Sequence, residues 1–547
     1  MKPDLIICNA RVVTMDGNSS EVEAFSVKDG RVMEVGSSST IKSSKGPGTE
    51  ELDAQGKMIV PGFIDAHAHL ELLAYSWEIA VDYRTPPVES IEDIVERLGR
   101  RVRETPAGEW ILGQGNHYQD AHLRERRYPD RHDLDRVSGD HPIVARFSFH
   151  VNIFNSKALE VLGVDRSTPD APGGRLERDP ATGEPTGRTF DMYHALGVPD
   201  WPFPAVLDAV RTLQGRYLAA GVTGIGDIPL QGHGLPVLRE MYRRGDLRLR
   251  VTTYPKAPSV VSFRDALDGT LAQTFSEIDP AWLRLGGIKL FLDGGLTSAA
   301  AALHEPYATI PGYRGEMAFQ PEELQMWLRE LDRAGHQILI HAIGDRALDT
   351  ALEAFSSLPQ RRDANRGPHR IEHGGNLFMD SKRIECFKRS GVLPVPQPAF
   401  IHTTASGYRE YLGRERSQNL MPFRTLLSEG FPLPGNSDAI GIDARQHEPM
   451  FGIWCLVCRR AGSGEILDGH EAIGVSEAMR MYTRYAAMSI GMGRELGSIE
   501  PGKLADFLLF ERDLRTVESE DLLNVRVDQT WVGGKCVYDR AVGTAAA

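Results

Sequence analysis

A helix that ends at glycine and leads into an apolar strand recurs along the middle of the chain. The glycine of each unit fits the left-handed residue that follows a helix C-terminus. Alternating helices and strands of this kind predict an α/β fold with parallel strands. The four glycines are Gly221, Gly335, Gly391 and Gly430.

Both ends of the chain follow a different pattern, in which short runs of apolar and β-branched residues alternate with turns. Such runs cover residues 4–36 and return at 503–513 and 529–539, and Asp29-Gly30 is a hairpin turn signal. The two ends therefore predict one small β-sandwich that both termini build together.

Polar residues that can bind metal ions stand at the ends of the predicted central strands. His67 and His69 close the stretch IVPGFIDAHAHL, and residues two apart in a strand project to the same side. Four more polar residues each lie in or just after a later strand. These are Lys289, His341, His373 and Asp438. Because a (β/α)8 barrel collects its chemistry at the C-terminal strand ends, this placement predicts a TIM barrel with a site at one rim.

The stretch between His69 and Lys289 is longer than three barrel units of about 30 residues require. We place the surplus in an α/β subdomain inserted after strand 1, above the barrel mouth. It contains a helix for which Ser90 is the expected N-cap. The predicted domains are a β-sandwich at 1–58 plus 496–547, a metal-dependent barrel at 59–71 plus 206–495, and a substrate-capping insert at 72–205.

Charge and composition exclude several classes of partner. The chain has 62 basic and 75 acidic residues, a formal charge of −13, which argues against nucleic-acid binding and a polybasic membrane patch. Without an 18-residue apolar run or a signal peptide, we expect no membrane span and a cytoplasmic protein. Five scattered cysteines do not suggest a disulfide framework. The expected partner is a small-molecule substrate; the assembly stays open, with a homodimer as one option.

The six polar residues at strand ends predict a hydrolytic metal site. Neutral imidazoles and a carboxylate can hold one or two divalent ions, and a histidine-rich site favours zinc. Such ions lower the pKa of water and polarise a carbonyl, while Asp438 can carry the proton as general acid and base. Lys289 is unusual, since an ammonium repels cations. Burial lowers a lysine pKa, and a neutral amine can react with carbon dioxide to give a carbamate that bridges two metals.

Six longer stretches carry a resemblance to a known family. They are PGFIDAHAHL (61–70), GGIKLFLDGGLTSAAAAL (286–303), ILIHAIGDRALD (338–349), RIEHGG (370–375), GNSDAIG (435–441) and GSIEPGKLADFLLF (497–510). Together they resemble the amidohydrolase superfamily, specifically the amidohydrolase family 3 group that includes N-substituted formamide deformylase. The resemblance covers nearly the whole chain. It implies a distorted (β/α)8 barrel with a β-sandwich, and hydrolysis of amide and other C–N bonds.

The resemblance also implies roles for the residues at the strand ends. It implies that His67 and His69 bind a first metal ion and that His341 and His373 bind a second. Lys289 would be a carboxylated ligand that bridges both ions. Asp438 would be a ligand and the general acid and base. The expected catalytic residues are Asp438, His341 and Lys289.

Other residues are candidates for contacts around this centre. The expected substrate contacts are His150, Asn116, His117, Trp77, Tyr83 and Tyr313. Asp293, Asp345 and Glu372 lie next to ligands and could orient them. For Asp345 the alternative is a helix N-cap. Relatives often carry a Trp-Asp pair near position 115, where this chain has Gly115-Asn116-His117, and this departure bears on any substrate carried over from them.

We predict a metal-dependent amidohydrolase that cleaves an amide-like C–N bond by attack of metal-activated hydroxide. The substrate would be an N-substituted formamide, an N-acyl compound or a cyclic amide. Two alternatives stay open. The same site could perform a non-amide reaction, namely decarboxylation, isomerisation or ester hydrolysis. The chain could also be a non-catalytic metal-binding regulatory protein, and metal content separates that reading from an enzyme.

Overall fold

A computed structural model describes residues 2–116, 119–147, 150–171, 174–193, 195–359 and 366–543. Two sheets of parallel strands form its centre. In spatial order, the first sheet contains Leu283–Leu285, Arg250–Thr253, Val222–Asp227 and Phe63–Ala68. The second contains Gly287–Phe291, Gln337–His341, Arg370–Glu372 and Leu393–Val395. The prediction of an α/β fold with parallel strands is confirmed.

Backbone hydrogen bonds connect the two parallel sheets on one side, and on the other side they connect residues 433–438 to the first sheet. On one side, the Lys289 N–H donates to the carbonyl of Pro255 at 3.1 Å. On the other side, residues 433–438 run beside the strand Phe63–Ala68. The Ala66 N–H donates to Gly435 at 3.1 Å, and the Asp438 N–H donates to His67 at 2.8 Å. Residues 433–438 are not a regular strand, so the described strands do not form one closed barrel of continuously hydrogen-bonded neighbours.

The helices end where the local sequence predicts. The four glycines that were expected to follow helix C-termini all have positive φ, which confirms that prediction; the values are 84° at Gly221, 90° at Gly335, 68° at Gly391 and 89° at Gly430. The described α-helices are Ser38–Ser43, Leu70–Ala74, Ile91–Glu104, Arg131–Asp135, Ser156–Leu162, Phe203–Ala219, Gly234–Arg244, Phe263–Leu267, Thr270–Gln273, Pro321–Arg333, Asp345–Ser356, Ser381–Ser390, Phe400–Thr403, Ala405–Arg416, Phe423–Ser428, Pro449–Cys458, Val475–Arg480 and Ala486–Ser489.

Of two further sheets, one combines strands from both ends of the chain and the other consists of N-terminal strands. One contains, in spatial order, Lys535–Asp539, Gln529–Val532, Phe507–Phe510, Met58–Pro61, Arg11–Val13 and Glu21–Val22. The other contains Arg31–Gly36, Ala24–Lys28, Leu5–Cys8 and Glu50–Asp53. Asp29 and Gly30 form the expected hairpin turn, with φ of 50° and 74°. The strand Met58–Pro61 leads directly into Phe63–Ala68, so the six-stranded terminal sheet anchors the start of the strand that carries His67.

A mixed sheet lies within the predicted insert. Its strands, in spatial order, are Arg175–Arg178, Pro185–Phe190, Val151–Phe154, Ile143–Arg146, Ile111–Gln114 and Val81–Asp82. The helix Ile91–Glu104 has Ser90 as its N-cap, as predicted, and the Ser90 Oγ accepts the Asp93 N–H at 3.2 Å. The domain limits themselves stay a prediction. Within the described ranges, no helix combines the length and apolar character that a membrane span needs. The five cysteines are free thiols.

Candidate metal centre

Three ligand atoms converge at the end of the strand Phe63–Ala68. His67 is in this strand and His69 directly follows it, and both side chains are buried. Their Nε2 atoms lie 3.3 Å apart. The Asp438 Oδ1 lies 3.3 Å from Nε2 of His67 and 3.1 Å from Nε2 of His69. These three atoms form a small triangle, which we call the ligand triangle.

The outer nitrogens of both rings contact groups that can only accept a hydrogen bond. Nδ1 of His67 donates to Oε2 of Glu372 at 2.5 Å, and Nδ1 of His69 donates to the carbonyl of Ile228 at 2.8 Å. When the ring is neutral, a proton on Nδ1 leaves a lone pair on Nε2. Both lone pairs therefore face the triangle together with a carboxylate oxygen.

The ligand triangle fits a divalent metal ion. Three lone-pair atoms at 3.1–3.3 Å repel one another unless a cation or a proton lies between them. A tetrahedral ion with bonds of about 2.0–2.2 Å holds its ligand atoms about 3.3–3.6 Å apart. The observed distances of 3.1–3.3 Å lie at or just below the short end of that range. The donor set of two imidazoles and one carboxylate is also typical of hydrolytic zinc sites and related centres.

Asp438 is held in the triangle by the segment that precedes it. The Ser437 N–H donates to Oδ1 of Asp65 at 2.9 Å, and the Ser437 Oγ donates to Oδ2 of the same carboxyl at 2.5 Å. Asp438 itself has a φ of 49°, a left-handed conformation that aspartate adopts more readily than most residues other than glycine. Burial alone would raise the pKa of Asp438, but His67 and the neighbouring histidines lower it overall. The carboxylate is therefore anionic.

A second pair of histidines lies beside the triangle. The ring centroids of His341 and His373 are 4.5 Å apart, and His373 lies 5.7 Å from His67. Nδ1 of His373 donates to Oε1 of Gln397 at 2.7 Å, so its Nε2 also carries a lone pair when the ring is neutral. Burial lowers the pKa of His373 to about 3 and that of His341 well below its usual value. Both rings are therefore neutral and can serve as metal ligands.

Lys289 is buried beneath these histidines. Its Nζ has no hydrogen-bond partner among the described residues, and it lies 5.1 Å from the centroid of the Phe291 ring. Burial lowers the pKa of Lys289 to about 8. An amine in this state is a nucleophile with a substantial neutral fraction. A buried polar group without a partner is costly, which indicates that the site lacks a component here.

Two buried carboxyls support the ligands in different ways. Glu372 contacts His67 and also accepts from Nε of Arg370 at 2.7 Å. Burial would raise the pKa of Glu372, but Arg370 and His67 hold it well below its usual value. The Asp293 carboxylate instead accepts three backbone N–H groups at 2.8–3.0 Å, and burial raises its pKa to about 7. Its Oδ1 lies 3.7 Å from Nε2 of His341.

Asp345 is not the N-cap of the helix that it begins, although its Oδ1 accepts the Arg346 N–H of that helix at 3.0 Å. The helix Asp345–Ser356 has Gly344 as its N-cap, so Asp345 is the first helical residue and the capping prediction is wrong. Its Oδ1 accepts the backbone N–H of His304 at 2.9 Å. Asp345 thus joins a surface loop to this helix. Gly344 occupies the N-cap position, and the carboxylate of Asp293 accepts its N–H.

A small cavity opens from the metal ligands, with a volume of about 50 Å³. Its walls are mostly apolar, and no lysine or arginine is among the described residues that line it. The lining residues are His67, His69, His150, Leu230, Phe291, Gly295, Leu296, Thr297, His341, Ile343, His373, Phe400, Thr404, Tyr408, Asp438, Ile440 and Ile442. The cavity therefore suits a small neutral group.

Of the predicted substrate contacts, His150 is the one that lines this cavity in the described part of the chain. Burial alone would lower its pKa, but the carboxylate of Asp191, which contacts Nδ1, raises it overall. His117 lies outside the described residues.

Four predicted substrate contacts are placed elsewhere. The Tyr83 hydroxyl donates to the carbonyl of Arg146 at 2.9 Å inside the insert. Trp77 packs against His447, with ring centroids 4.7 Å apart. Asn116 donates from Nδ2 to the carbonyl of Ile442 at 2.8 Å, and Tyr313 stacks on Tyr307 at 6.0 Å. None of these four side chains is among the described residues that line the cavity, and their contact with substrate stays a prediction.

Two supporting residues were missed at the sequence level. Asp65 lies two residues before His67, so strand periodicity places it on the same side, and that signal was available. Gln397 follows the strand Leu393–Val395, at the type of strand-end position that marked the other site residues. Gln397 contacts the proposed ligand His373, and Asp65 contacts Ser437, which precedes Asp438. The sequence pattern of metal ligands did not reveal them because they support ligands and are not proposed as ligands themselves.

Comparison with known proteins agrees with this geometry. A sequence profile of the amidohydrolase family matches residues 50–538. The chain is 29% identical to N-substituted formamide deformylase of Arthrobacter pascens, over 98% of each chain. It is 28% identical to the putative amidohydrolase YtcJ of Bacillus subtilis, over 97% of this chain and 98% of that one. The crystal structure of an uncharacterized metal-dependent hydrolase from Pyrococcus horikoshii superposes with a TM-score of 0.74 at 26% identity, covering 94% of this chain and 99% of that one.

Proposed function

Because the chain belongs to the amidohydrolase family of metal-dependent hydrolases, we propose that it cleaves the amide-like C–N bond of a small neutral substrate. The observation that carries this proposal is the ligand triangle, whose atoms lie 3.1–3.3 Å apart. An N-substituted formamide is the favoured substrate class, and N-acyl compounds or cyclic amides are the next to test.

We assign the metal ligands as follows. His67, His69 and Asp438 would hold the first divalent ion, and His341 and His373 would hold the second. Zinc is the favoured ion because the donors are mainly imidazoles. When bound, such ions supply Lewis acidity, which lowers the pKa of water and polarises a carbonyl group.

Asp438 would move the proton that hydrolysis requires. Its carboxylate is anionic and mostly buried at the cavity wall, so it can take a proton from the attacking water. The same carboxyl would then return the proton to the leaving nitrogen. Glu372 and the Ile228 carbonyl would keep the two triangle histidines in the required tautomer.

Lys289 would bridge the two ions as a carbamate. Its depressed pKa, complete burial and unpartnered Nζ support this assignment. Reaction of the neutral amine with carbon dioxide forms an N–C bond and releases one proton. The product places an anionic oxygen pair where an ammonium would repel cations.

The shape and polarity of the cavity favour the proposed substrate class. A formyl group is the smallest acyl group, and a cavity of about 50 Å³ holds only a few water-sized groups. The apolar wall around Phe291, Phe400 and Ile440 suits a hydrocarbon substituent on the nitrogen. The described lining offers no lysine or arginine for an anionic substrate. One relative is named N-substituted formamide deformylase, which agrees with this class.

We also propose a finer architecture from the backbone contacts. The two parallel sheets would be halves of a distorted barrel that residues 433–438 close, and the terminal sheets would form a β-sandwich. The insert at 72–205 would cap the barrel mouth. A small-molecule substrate as partner, no nucleic-acid or membrane partner, and a cytoplasmic location stay predictions, with a homodimer as the assembly to test.

The decisive experiment combines metal analysis with product identification. The purified protein would be tested on N-butylformamide, N-butylacetamide, a cyclic amide and butyl formate, before and after chelation and refilling with Zn²⁺. We expect metal-dependent release of formate and butylamine from the first compound. Hydrolysis of the ester alone would contradict the proposal, as would formate release that survives complete removal of metal.

A further inference from the structure

The loop that follows Asp438 forms part of the cavity wall. Ile440 and Ile442 line the cavity, and Gly441 lies between them. Residues 439–442 lie outside the described helices and strands, so no ladder of a sheet fixes their backbone. Because a buried carbonyl without a partner is costly, the fold must supply hydrogen-bond donors to such a loop from elsewhere. The position of both isoleucine side chains depends on those donors.

Three side chains of the predicted insert at 72–205 contact three consecutive carbonyls of this loop, and we call these contacts the carbonyl clamp. In chain order, they are Ser76 Oγ at 2.8 Å from the Ile440 carbonyl, Arg84 Nε at 2.5 Å from that of Gly441 and Asn116 Nδ2 at 2.8 Å from that of Ile442. The arginine and the asparagine donate through these nitrogens. The single proton of Ser76 also has the Leu72 carbonyl within reach, at 2.9 Å.

Arg84 and Asn116 are themselves held by the insert. The other nitrogens of Arg84 contact the Asp82 carboxylate at 2.8 Å and the Ser76 carbonyl at 3.1 Å. The Asn116 Oδ1 accepts the Thr85 N–H at 2.5 Å, which fixes the orientation of the amide and directs Nδ2 to the loop. Both side chains therefore link the insert to the cavity wall in one defined geometry.

Gly441 allows the loop and the insert to approach each other this closely. It has a φ of 88°, and a Cβ at this position would lie 2.2 Å from Cβ of Ser76 and 3.3 Å from a terminal nitrogen of Arg84. Any other residue would combine a strained backbone with a steric clash. The contacts of the carbonyl clamp thus depend on a glycine in the middle of the loop.

We propose that the carbonyl clamp determines the substrate specificity of the cavity, with Arg84 and Asn116 as positioning residues that act through Ile440 and Ile442. This inference rests on the proposed function, because these isoleucines belong to the wall that receives the substituent on the substrate nitrogen. An apolar group gains binding free energy in proportion to the area that it buries. A displaced wall therefore loses affinity for the alkyl chain, and the insert selects substrates by chain length.

Asp438 is fixed by other contacts, although it begins the same loop. Asp65, in the strand Phe63–Ala68, accepts two hydrogen bonds from Ser437. Nε2 of Gln446 donates to the Asp438 carbonyl at 3.1 Å. Loss of a clamp contact therefore moves the hydrocarbon wall and leaves the metal ligand in place. The clamp should affect KM for long substrates more than it affects kcat.

The test uses the full-length, metal-loaded protein with N-methylformamide and N-butylformamide. In the unaltered protein, the three additional methylene groups should raise kcat/KM about 10-fold or more. Arg84→Ala and Asn116→Asp should lower this preference to about 3-fold or less, mainly through KM for the butyl compound. Asn116→Asp still accepts the Thr85 N–H but loses the donor to the loop. Arg84→Lys retains one donor and should recover part of the preference.

The matched control is Arg97→Ala. Arg97 donates to the Asp82 carbonyl at 2.8 Å inside the insert, so its loss measures general damage to the insert. This variant should retain the chain-length preference, and the metal content of every variant should match that of the unaltered protein. If Arg84→Ala does not fold, Asn116→Asp alone decides. An unchanged preference in the clamp variants would overturn the inference, as would an equal loss in the control or an unaltered protein that does not distinguish the two substrates.

A binding measurement separates this inference from the proposed function. If the unaltered protein hydrolyses no formamide, the proposed function fails. Acetohydroxamate and hexanohydroxamate, which chelate metal ions through the same group and differ in chain length, are then compared by calorimetry. The unaltered protein should bind the longer compound about 10-fold or more tightly, and Asn116→Asp should lose most of that preference. An equal preference in the two proteins would overturn the inference.

Discussion

The two halves of the candidate metal centre differ in how completely their ligands are assembled. In the first half, His67, His69 and Asp438 already hold their ligand atoms at the spacing of a metal site. In the second half, His341 lies with Nε2 3.5 Å from the carbonyl of Gly294, and Lys289 has an unpartnered Nζ in the described structure. The first half is preorganised, whereas the second needs an added component.

This difference follows from the groups behind each ligand. The triangle histidines are fixed by a charged carboxylate and a backbone carbonyl, and Asp65 fixes the segment that carries Asp438. In the second half, Gln397 fixes His373, but Nζ of Lys289 has no hydrogen-bond partner among the described residues. We therefore expect the first half to bind its ion with high affinity. Occupation of the second half should depend on carboxylation of Lys289.

The largest expected effect is that of Asp438→Asn. It removes the proposed proton carrier and one anionic ligand, so we expect kcat/KM on N-butylformamide to fall about 10²-fold to 10⁴-fold. Asp443→Asn is the matched control, because this carboxylate lies on the same loop and accepts the Arg445 N–H at 2.8 Å. Full activity in metal-replete Asp438→Asn would show that the proton follows another route.

Lys289→Ala should have the next largest effect and should act on the second half. We expect kcat/KM to fall about 100-fold, with partial recovery in added acetate, since acetate can enter the space left and supply the missing carboxylate. His341→Ala is the comparison, because acetate cannot replace an imidazole. If Lys289→Ala were as active as the unaltered protein without acetate, the carbamate would have no role.

Glu372→Gln should weaken metal binding by the first half of the centre without abolishing it. Loss of the charge that holds His67 should lower metal affinity about 10-fold to 100-fold, measured by competition with a chelator. Asp293→Asn is the matched comparison, because Asp293 holds backbone N–H groups and not a triangle histidine. Its first ion should bind normally. An equal loss of metal affinity in the two variants would contradict the claim that Glu372 supports the first half of the centre specifically.

Tyr83→Phe should have the smallest effect on catalysis. The hydroxyl donates to the Arg146 carbonyl inside the insert, so its loss should lower the free energy of unfolding by about 1 kcal/mol. We expect KM and kcat on N-butylformamide to stay unchanged, as measured beside a denaturant titration. A large rise in KM would show that the Tyr83 hydroxyl contacts the substrate.

Much of the central site was readable from the sequence because strand and helix periodicities fix direction. A two-residue repeat places His67 and His69 on one side, and the glycines after helices mark where each strand begins. Parallel strands then bring their C-terminal ends together, whichever loops connect them. The convergence of the triangle with the other histidines is a consequence of that rule.

The substrate side could not be read in the same way, because long-range packing decides it. Tyr83 and Trp77 are aromatic residues near a predicted cavity, yet both face other side chains of the walls. Asp191 lies far from His150 in sequence, and no local pattern pairs them. Asp345 was assigned to a cap that Gly344 occupies, since the Asp293 carboxylate accepts the Gly344 N–H.

The most direct test of the account is the number of metal ions per chain in the unaltered protein and in His67→Ala/His69→Ala, purified without chelators. We predict one or two divalent ions per chain in the unaltered protein. The double variant should lack the ion of the first half and should not hydrolyse N-butylformamide. Less than one ion per chain in the active, unaltered protein would contradict the account, as would an unchanged metal content in the double variant.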